Sequence, residues 1–372
     1  MTAPGVLTGF TVGITADRRW AEQAALFERR GAAVIHGPTI RTLPLGAEAP
    51  LRQATLEVIT RPPDALIANT GVGIRSWFAH ADSWGLGPDL HKALAGSRIY
   101  ARGPKASGAV HSADLEVVAR AGTERLSDVV DMVLEAAGPG KRVAVQLDGS
   151  GDSPEVDRLR RAGAEVVSLP VYRWTLPDDL GPALRLAEAL MAGRVQAVTF
   201  TAGPAIRNWL AMVDREGAGE ELRRSLTDGR AVVGSVGPIC SEVAEHEGLG
   251  SAHLVQPDAY RLGPLVRAVT ERLTERRMTV EMGTTSMVLS GNAVLVGGDC
   301  ISLTETEARL LATLARRPNV VYSKEHLLRT VWVGTGGDAH TVEVGIARLR
   351  KRLGPHGGAI QSVHRRGYTL RV

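Results

Sequence analysis

The chain repeats itself. Asp64-Ala-Leu-Ile-Ala-Asn-Thr-Gly-Val-Gly-Ile-Arg-Ser-Trp-Phe78 returns 132 positions later as Gln196-Ala-Val-Thr-Phe-Thr-Ala-Gly-Pro-Ala-Ile-Arg-Asn-Trp-Leu210. Gly31-Ala-Ala-Val-Ile-His-Gly-Pro-Thr-Ile-Arg41 returns at the same separation as Gly163-Ala-Glu-Val-Val-Ser-Leu-Pro-Val-Tyr-Arg173, and Arg102-Gly-Pro104 answers Val236-Gly-Pro238 two residues off that register. Registers this close confine the first 275 residues to two copies of one unit. Each copy alternates short β-branched runs with helical stretches. Residues 11–15, 34–36, 65–68, 98–101 and 116–118 read as strands in the first, and 142–146, 166–169, 197–201, 231–235 and 253–256 in the second. Helices such as 20–30, 127–137, 154–162 and 239–247 fall between them. This alternation predicts an α/β body of parallel sheets covered on both faces. Trp77 and Trp209 hold equivalent places in the repeat and should pack helices on sheets.

Ligands of open parallel sheets bind beyond the carboxyl ends of the strands. Those ends are the small turns Asn69-Thr70-Gly71, Arg102-Gly103-Pro104, Asp148-Gly-Ser-Gly151, Thr201-Ala202-Gly203-Pro204 and Ser235-Val-Gly237-Pro238, each leading into a helix. A turn of this kind aims free N–H groups, aided by the helix dipole, at an anion. Thr70, Gly71, Gly103, Thr201, Ala202, Gly203, Gly237 and Pro238 are therefore the candidate ligand-binding residues. Any βα turn favours Gly or Pro, so the inference rests on the set of turns; none is a dinucleotide fingerprint or a P-loop. The histidines show no metal spacing, and no metal or cofactor is expected. Ser150 in its Gly-Ser-Gly turn is not a nucleophile elbow, and Asp17 and Asp148 read as turn caps.

A different pattern begins after residue 283. Thr304 with Glu307 forms a capping box ahead of Leu310, Leu311 and Leu314, and Ser323 can cap a second helix whose apolar face is Leu327, Leu328 and Val331. A third helix carries Val342, Ile346, Leu349 and Leu353 on one stripe, with Thr341, Glu343, Arg348, Arg350, Lys351 and Arg352 elsewhere on its surface. Ile360-Gln-Ser-Val-His-Arg-Arg-Gly-Tyr368 then reads as a basic hairpin. Helix, turn, anchored basic helix and hairpin is the order of a helix that enters a DNA major groove. From Gly283 onward, 12 Lys and Arg stand against 6 Asp and Glu, whereas the remainder has 32 against 34. A surplus confined to one module is the footprint of a phosphate-backbone partner, double-stranded DNA.

The segment resembles the OmpR/PhoB winged-helix DNA-binding family over roughly its last 90 residues. By that resemblance Glu343 and Arg348 read bases, Thr341 and Arg350 hold phosphates, and Lys351, Ser362, His364, Arg365 and Arg366 complete the interface. The wing departs from the pattern: where the family has Arg-Gly-x-Gly-Tyr, this chain has His364-Arg365-Arg366-Gly367-Tyr368.

The body resembles uroporphyrinogen-III synthase over roughly residues 8–272. The match lies in the order and spacing of Phe200–Pro204, of Gly237-Pro238 before a helix ending in Glu247-Gly248-Leu249, and of Gly163…Pro-Val-Tyr172-Arg. The resemblance implies two flavodoxin-like lobes joined by a two-stranded ladder, with 39–43 and 171–175 as the crossing strands. It also implies cofactor-free closure of hydroxymethylbilane with inversion of one ring, Tyr172 assisting loss of the leaving hydroxyl. Here the family's Phe-Thr-Ser becomes Thr201-Ala202 in one copy and Asn69-Thr70-Gly71 in the other, and its Gly-Pro-Thr-Thr becomes Gly237-Pro238-Ile239-Cys240. Each lost hydroxyl removes a donor worth about 1.5–3 kcal/mol to a buried carboxylate.

The expected organisation is a synthase-like body over 1–275 (lobe one 1–38 and 176–275, lobe two 39–175), a linker over 276–286 and a winged helix over 287–372. The expected function is a one-component transcription regulator whose body senses a small anionic or tetrapyrrole ligand or mediates a homodimer; the alternative is an active synthase carrying a DNA-binding appendage, with Tyr172 catalytic. Fusions of this kind resemble actinobacterial regulators of nitrate and nitrite assimilation. RNA polymerase or a co-regulator is a further expected contact. Cys240 and Cys300 lie in different modules and read as free thiols in a reducing compartment. No apolar run reaches the roughly 18 residues needed to cross a bilayer, so a cytoplasmic protein without a membrane partner is expected.

Overall fold

The computed structural model describes residues 5–44, 49–147, 154–249, 253–282, 285–332 and 336–372. The chain opens with β1 (Thr11–Ile14), α1 (Trp20–Glu28), β2 (Ala33–His36) and β3 (Arg41–Pro44). Next come α2 (Ala49–Thr60), β4 (Ala65–Ala68), α3 (Gly71–Ser83), α4 (Gly87–Leu94), β5 (Arg98–Ala101), α5 (Pro104–His111), β6 (Val117–Arg120) and α6 (Leu126–Ala137). The second copy of the repeat supplies β7 (Arg142–Gln146), α7 (Pro154–Arg161), β8 (Glu165–Leu169), β9 (Tyr172–Thr175), α8 (Gly181–Met191), β10 (Ala197–Phe200), α9 (Gly203–Arg215) and α10 (Gly219–Thr227). It ends with β11 (Val232–Ser235), α11 (Pro238–His246), β12 (Leu254–Val255) and α12 (Leu262–Thr274).

Two five-stranded parallel sheets result, with orders β12-β11-β10-β1-β2 and β6-β5-β4-β7-β8. The repeat explains why the orders correspond: β4 and β10 begin 132 residues apart, as do α3 and α9. Each lobe is nevertheless built from both copies. Lobe one takes β1 and β2 from the first and β10 to β12 from the second; lobe two takes β4 to β6 from the first and β7 and β8 from the second. Val, Ile, Leu and Ala fill the central strands, which are buried on both faces as a covered parallel sheet requires. Trp77 and Trp209 are both fully buried, the indole N–H of Trp77 donating to Thr55 Oγ1 of α2 and that of Trp209 to the Ala183 carbonyl of α8. β3 and β9 pair antiparallel, Pro44 opposite Tyr172 and Arg41 opposite Thr175, so the two crossing segments form the expected ladder. The compact units divide at Ile40/Arg41 and Thr175/Leu176.

The C-terminal module begins earlier than expected. Residues 276–286 are not a linker throughout, because β13 (Met278–Met282) lies within them and pairs antiparallel with β14 (Thr285–Ser290). β15 (Ala293–Val296) and β16 (Asp299–Ser302) complete a four-stranded sheet. The charged run ahead of β13 hid a strand whose alternate residue Val280 is buried in the module's core. α13 (Glu305–Ala315), α14 (Lys324–Val331), α15 (Ala339–Leu353) and the hairpin β17 (Ile360–Val363) and β18 (Gly367–Leu370) follow. Thr304 and Glu307 form the capping box, and Ser323 Oγ accepts from the His326 amide. Val342, Ile346, Leu349 and Leu353 are all buried against Leu310, Leu311, Leu314, Leu327 and Val331. Among the described residues no helix is long and apolar enough to cross a membrane.

Candidate functional site

On α15 the buried stripe fixes which residues face solvent. Arg348 and Lys351 are exposed, and neither has a carboxylate partner among the described residues. Arg348 lines a groove with Thr341, Val344 and Trp332, and with Thr304 and Thr306 at the start of α13. Thr341 is engaged at the helix start: its amide donates to Asp338 Oδ1 at 3.0 Å and its hydroxyl accepts from the Asp338 amide at 3.2 Å. The Thr341 amide holds the Asp338 carboxyl below its ordinary value. Glu343 is bound by Lys324, the first residue of α14, with His340 Nδ1 3.6 Å away. Lys324 accordingly holds the Glu343 carboxyl below the usual range. Spacing within α15 could not have singled out Lys324, since it meets Glu343 across 19 residues of chain.

Arg350, expected on a phosphate, points at the wing. Its Nε donates to the Ile360 carbonyl at 2.9 Å, an η nitrogen donates to Ser362 Oγ at 3.0 Å, and the guanidinium lies over the Tyr368 ring at 5.8 Å. Arg350 and Ser362 thus brace β17 and β18 against the recognition helix. At the hairpin tip His364, Arg365 and Arg366 are exposed, and Arg365 adopts a left-handed backbone with φ +57°. The tip and the amino end of α14 line one groove, so Arg365, Arg366 and Lys324 share a face.

The carboxyl edges of the lobes differ from each other. In lobe two the Thr70 amide donates to Gln146 Oε1 at 2.8 Å, and Gln146 Nε2 donates to Thr70 Oγ1 at 2.9 Å. Gln146 ends β7 beside β4, where the strand order reverses, and so occupies with its own side chain the place where a ligand would meet the sheet. Gly71 is buried with a Lys105 carbonyl 2.2 Å from where its Cβ would stand. The Glu124 carboxylate lies 3.1 Å from the corresponding point on Gly103, which sets a negative charge at a turn expected to welcome an anion. In lobe one Thr201 and Ala202 are half-buried at the start of α9, and Gly237-Pro238 opens α11 beside Tyr260. Ser235 and Ser241 bond to one another at 2.5 Å, and Ser241 donates on to Gln256. Ile239 is exposed at this edge. Cys240 is buried, its thiol donates to the Phe200 carbonyl at 3.7 Å, and burial pushes its pKa up to about 12. Tyr172 lies on β9, but its side chain and the turn 148–151 fall outside the described residues.

Residues 21–267 match the family described as uroporphyrinogen-III synthase HemD. The chain belongs to that family. A crystal structure of a mutant uroporphyrinogen III synthase from the extremely thermophilic bacterium Thermus thermophilus is similar to the HemD body, with 27% identity and a TM-score of 0.57, covering 72% of this chain and 100% of that one. Behind the HemD body, residues 298–370 match the family described as transcriptional regulatory protein, C terminal. The transcriptional regulatory protein CseB of Streptomyces coelicolor is 39% identical over 83 residues, 22% of this chain and 35% of that protein. The phosphate regulon transcriptional regulatory protein PhoB of Escherichia coli is 35% identical over 111 residues, 28% of this chain and 48% of that protein. The chain spans less than half the length of the curated relatives it matches. A HemD body of two parallel-sheet lobes therefore precedes an OmpR/PhoB-type winged helix.

Proposed function

We propose that the chain is a one-component transcription regulator in which the winged helix binds operator DNA and the HemD body senses a small anion or joins two copies. The observation that carries the DNA reading is the division of α15. Four apolar side chains are locked in the core, while Arg348 and Lys351 project without a carboxylate partner among the described residues, on the same module as the wing's Arg365 and Arg366. Glu343, positioned by Lys324, serves as the acceptor for a cytosine amine. Arg350 and Ser362 act by setting the wing, and Thr341 by closing the helix cap. The transcription-regulator names of the relatives support the same reading. Selection of binding sites from random DNA by the full-length protein tests it: a defined site should emerge, with affinity falling steeply as salt rises. Sequence-indifferent, salt-insensitive binding would overturn the reading.

For the body, the lobe-one turns at Thr201–Gly203 and Gly237–Pro238 are the better anion edge. In lobe two Gln146 takes the Thr70 amide and Glu124 flanks Gly103. Ile239 and Cys240 in place of hydroxyls weigh against turnover of an eight-carboxylate substrate; the full-length match to the Thermus thermophilus enzyme is what favours an active synthase. The resemblance to nitrate and nitrite regulators supports a regulon in nitrogen assimilation, which a genome-wide map of bound DNA would check.

A further inference from the structure

In the sheet that opens the winged-helix module, the turn between β14 and β15 has its polar groups engaged by the chain itself. Ser290 is fully buried, and its hydroxyl donates to the Thr8 carbonyl at 2.6 Å. The Asn292 amide donates to the Gly9 carbonyl at 2.9 Å, and Asn292 Nδ2 donates to the Gly193 carbonyl at 3.1 Å. These bonds cross from the DNA-binding module to lobe one, and all of them satisfy backbone carbonyls that precede a strand. Thr8 and Gly9 lie just before β1, and Gly193 lies before β10. The turn is therefore seated on the amino edge of the lobe-one sheet, the edge opposite its candidate ligand turns.

The fit has no room to spare. A Cβ on Gly9, whose φ is +91°, would stand 2.1 Å from the Ser290 carbonyl oxygen and 2.7 Å from Ala293 Cβ. A Cβ on Gly291, at φ +55°, would stand 2.4 Å from the Gly9 carbonyl oxygen and 2.9 Å from the Phe10 ring. Two facing backbones approach this closely only where both residues are glycine. Around the turn, Phe10 and Ala293 are buried, and Glu305 packs its carboxylate within 2.5 Å of the Cβ point of Gly193. Burial raises the Glu305 carboxyl above its ordinary value, with Arg309 and Arg230 of lobe one pulling the other way. Arg276 adds a bond from its η nitrogen to the Arg230 carbonyl at 3.2 Å.

We propose that Ser290–Asn292 is a docking turn whose partner is the chain's own lobe one, and that the joint makes lobe one and the winged helix a single rigid body. Lobe one then sets the orientation of the recognition helix. An effector bound at the carboxyl edge acts on DNA through the length of the lobe-one strands, not by touching the DNA-binding module. The joint itself does not depend on the regulator reading; only its consequence for DNA does.

Cys300 gives the test a handle, because it is exposed on the module while Cys240 is buried. A rigid dye on Cys300 of the full-length protein should show, by time-resolved anisotropy, the slow rotation of the whole assembly. Gly9→Val should add a faster component from the released module. The double variant Ser290→Ala, Asn292→Ala, which leaves the glycines in place, should add it too with the far-ultraviolet circular dichroism unchanged. A fast module component already present in the wild type would overturn the proposal. So would a double variant that rotates as slowly as the wild type. Failure to bind DNA would leave these rotation results standing and count only against the regulator reading.

Discussion

Arg365 holds a left-handed backbone at a place where the resembled family has glycine. For a residue with a Cβ that conformation costs about 1–2 kcal/mol. Arg365→Gly removes the strain but adds about 0.5–1 kcal/mol of chain entropy to be lost on folding, so the two nearly cancel. The melting temperature should hold or rise slightly, while operator affinity falls and the salt slope drops by about 0.9. A glycine variant that binds with unchanged affinity and slope would mean the guanidinium never reaches the DNA. Arg348 and Arg350 should separate by mechanism. Arg348→Ala should relax discrimination at one base pair by about 1–3 kcal/mol. Arg350→Ala removes the brace on Ile360, Ser362 and Tyr368, and should weaken all sequences alike. Binding-site logos for both variants, measured with affinity on one sequence, would tell these apart. Cys240 yields a pH prediction. Its folded value, near 12, lies above the 9.0 of a free thiol, so the unfolded chain loses this proton first as pH rises. Stability from this group is whole below pH 9 and declines between 9 and 12, by at most about 1.4 kcal/mol per unit. Denaturation at stepped pH should show a shallower decline for Cys240→Ala.

Secondary-structure elements give a second kind of test. β13 pairs residue by residue with β14 and places Val280 in the module core, with Met278 and Met282 packed at its margin. A fragment of residues 276–372 keeps that strand, whereas 283–372 leaves β14 as an exposed edge and uncovers apolar surface. The shorter fragment should unfold at lower urea and aggregate more readily, as unpaired edges do. Equal midpoints would show that β13 contributes nothing. The repeat makes its own element-scale prediction, because α3 and α9 present Trp77 and Trp209 to equivalent pockets. Either tryptophan changed to alanine should cost about 3–5 kcal/mol by large-to-small truncation. The indole N–H partners differ, a hydroxyl for Trp77 and a backbone carbonyl for Trp209. Neither tryptophan changed to phenylalanine should strand its partner, because the Ala183 carbonyl keeps its place in the helical ladder of α8 and Thr55 keeps its bond to the Leu51 carbonyl.

For the whole molecule the question is whether the HemD body turns over substrate or holds a signal. The full-length protein should let hydroxymethylbilane close only to the spontaneous, uninverted product. Efficient formation of the inverted isomer, lost in Tyr172→Phe, would make the synthase the primary activity. A polycarboxylate such as citrate, if it fits the lobe-one turns, should raise the melting temperature. A ligand that binds only the folded state adds about 2.7 kcal/mol at a hundred times its Kd. It should also shift operator affinity, since an effector biases DNA binding only through unequal affinity for the two states.

The sequence by itself determined the duplicated α/β body, the strands at 65–68, 98–101 and 142–146, the capping residues Thr304 and Ser323, and the buried stripe of α15. Each is a local matter: hydrophobic period, a cap hydroxyl and a repeat register are written within a few residues of where they act. The tertiary structure decided the rest. It engaged the Thr70 amide with Gln146, turned Arg350 toward the wing and paired Glu343 with Lys324. These outcomes depend on partners 10 to 76 residues away along the chain. Which donor is engaged and which stays open is settled by close approach after folding, and neither residue type nor spacing records it.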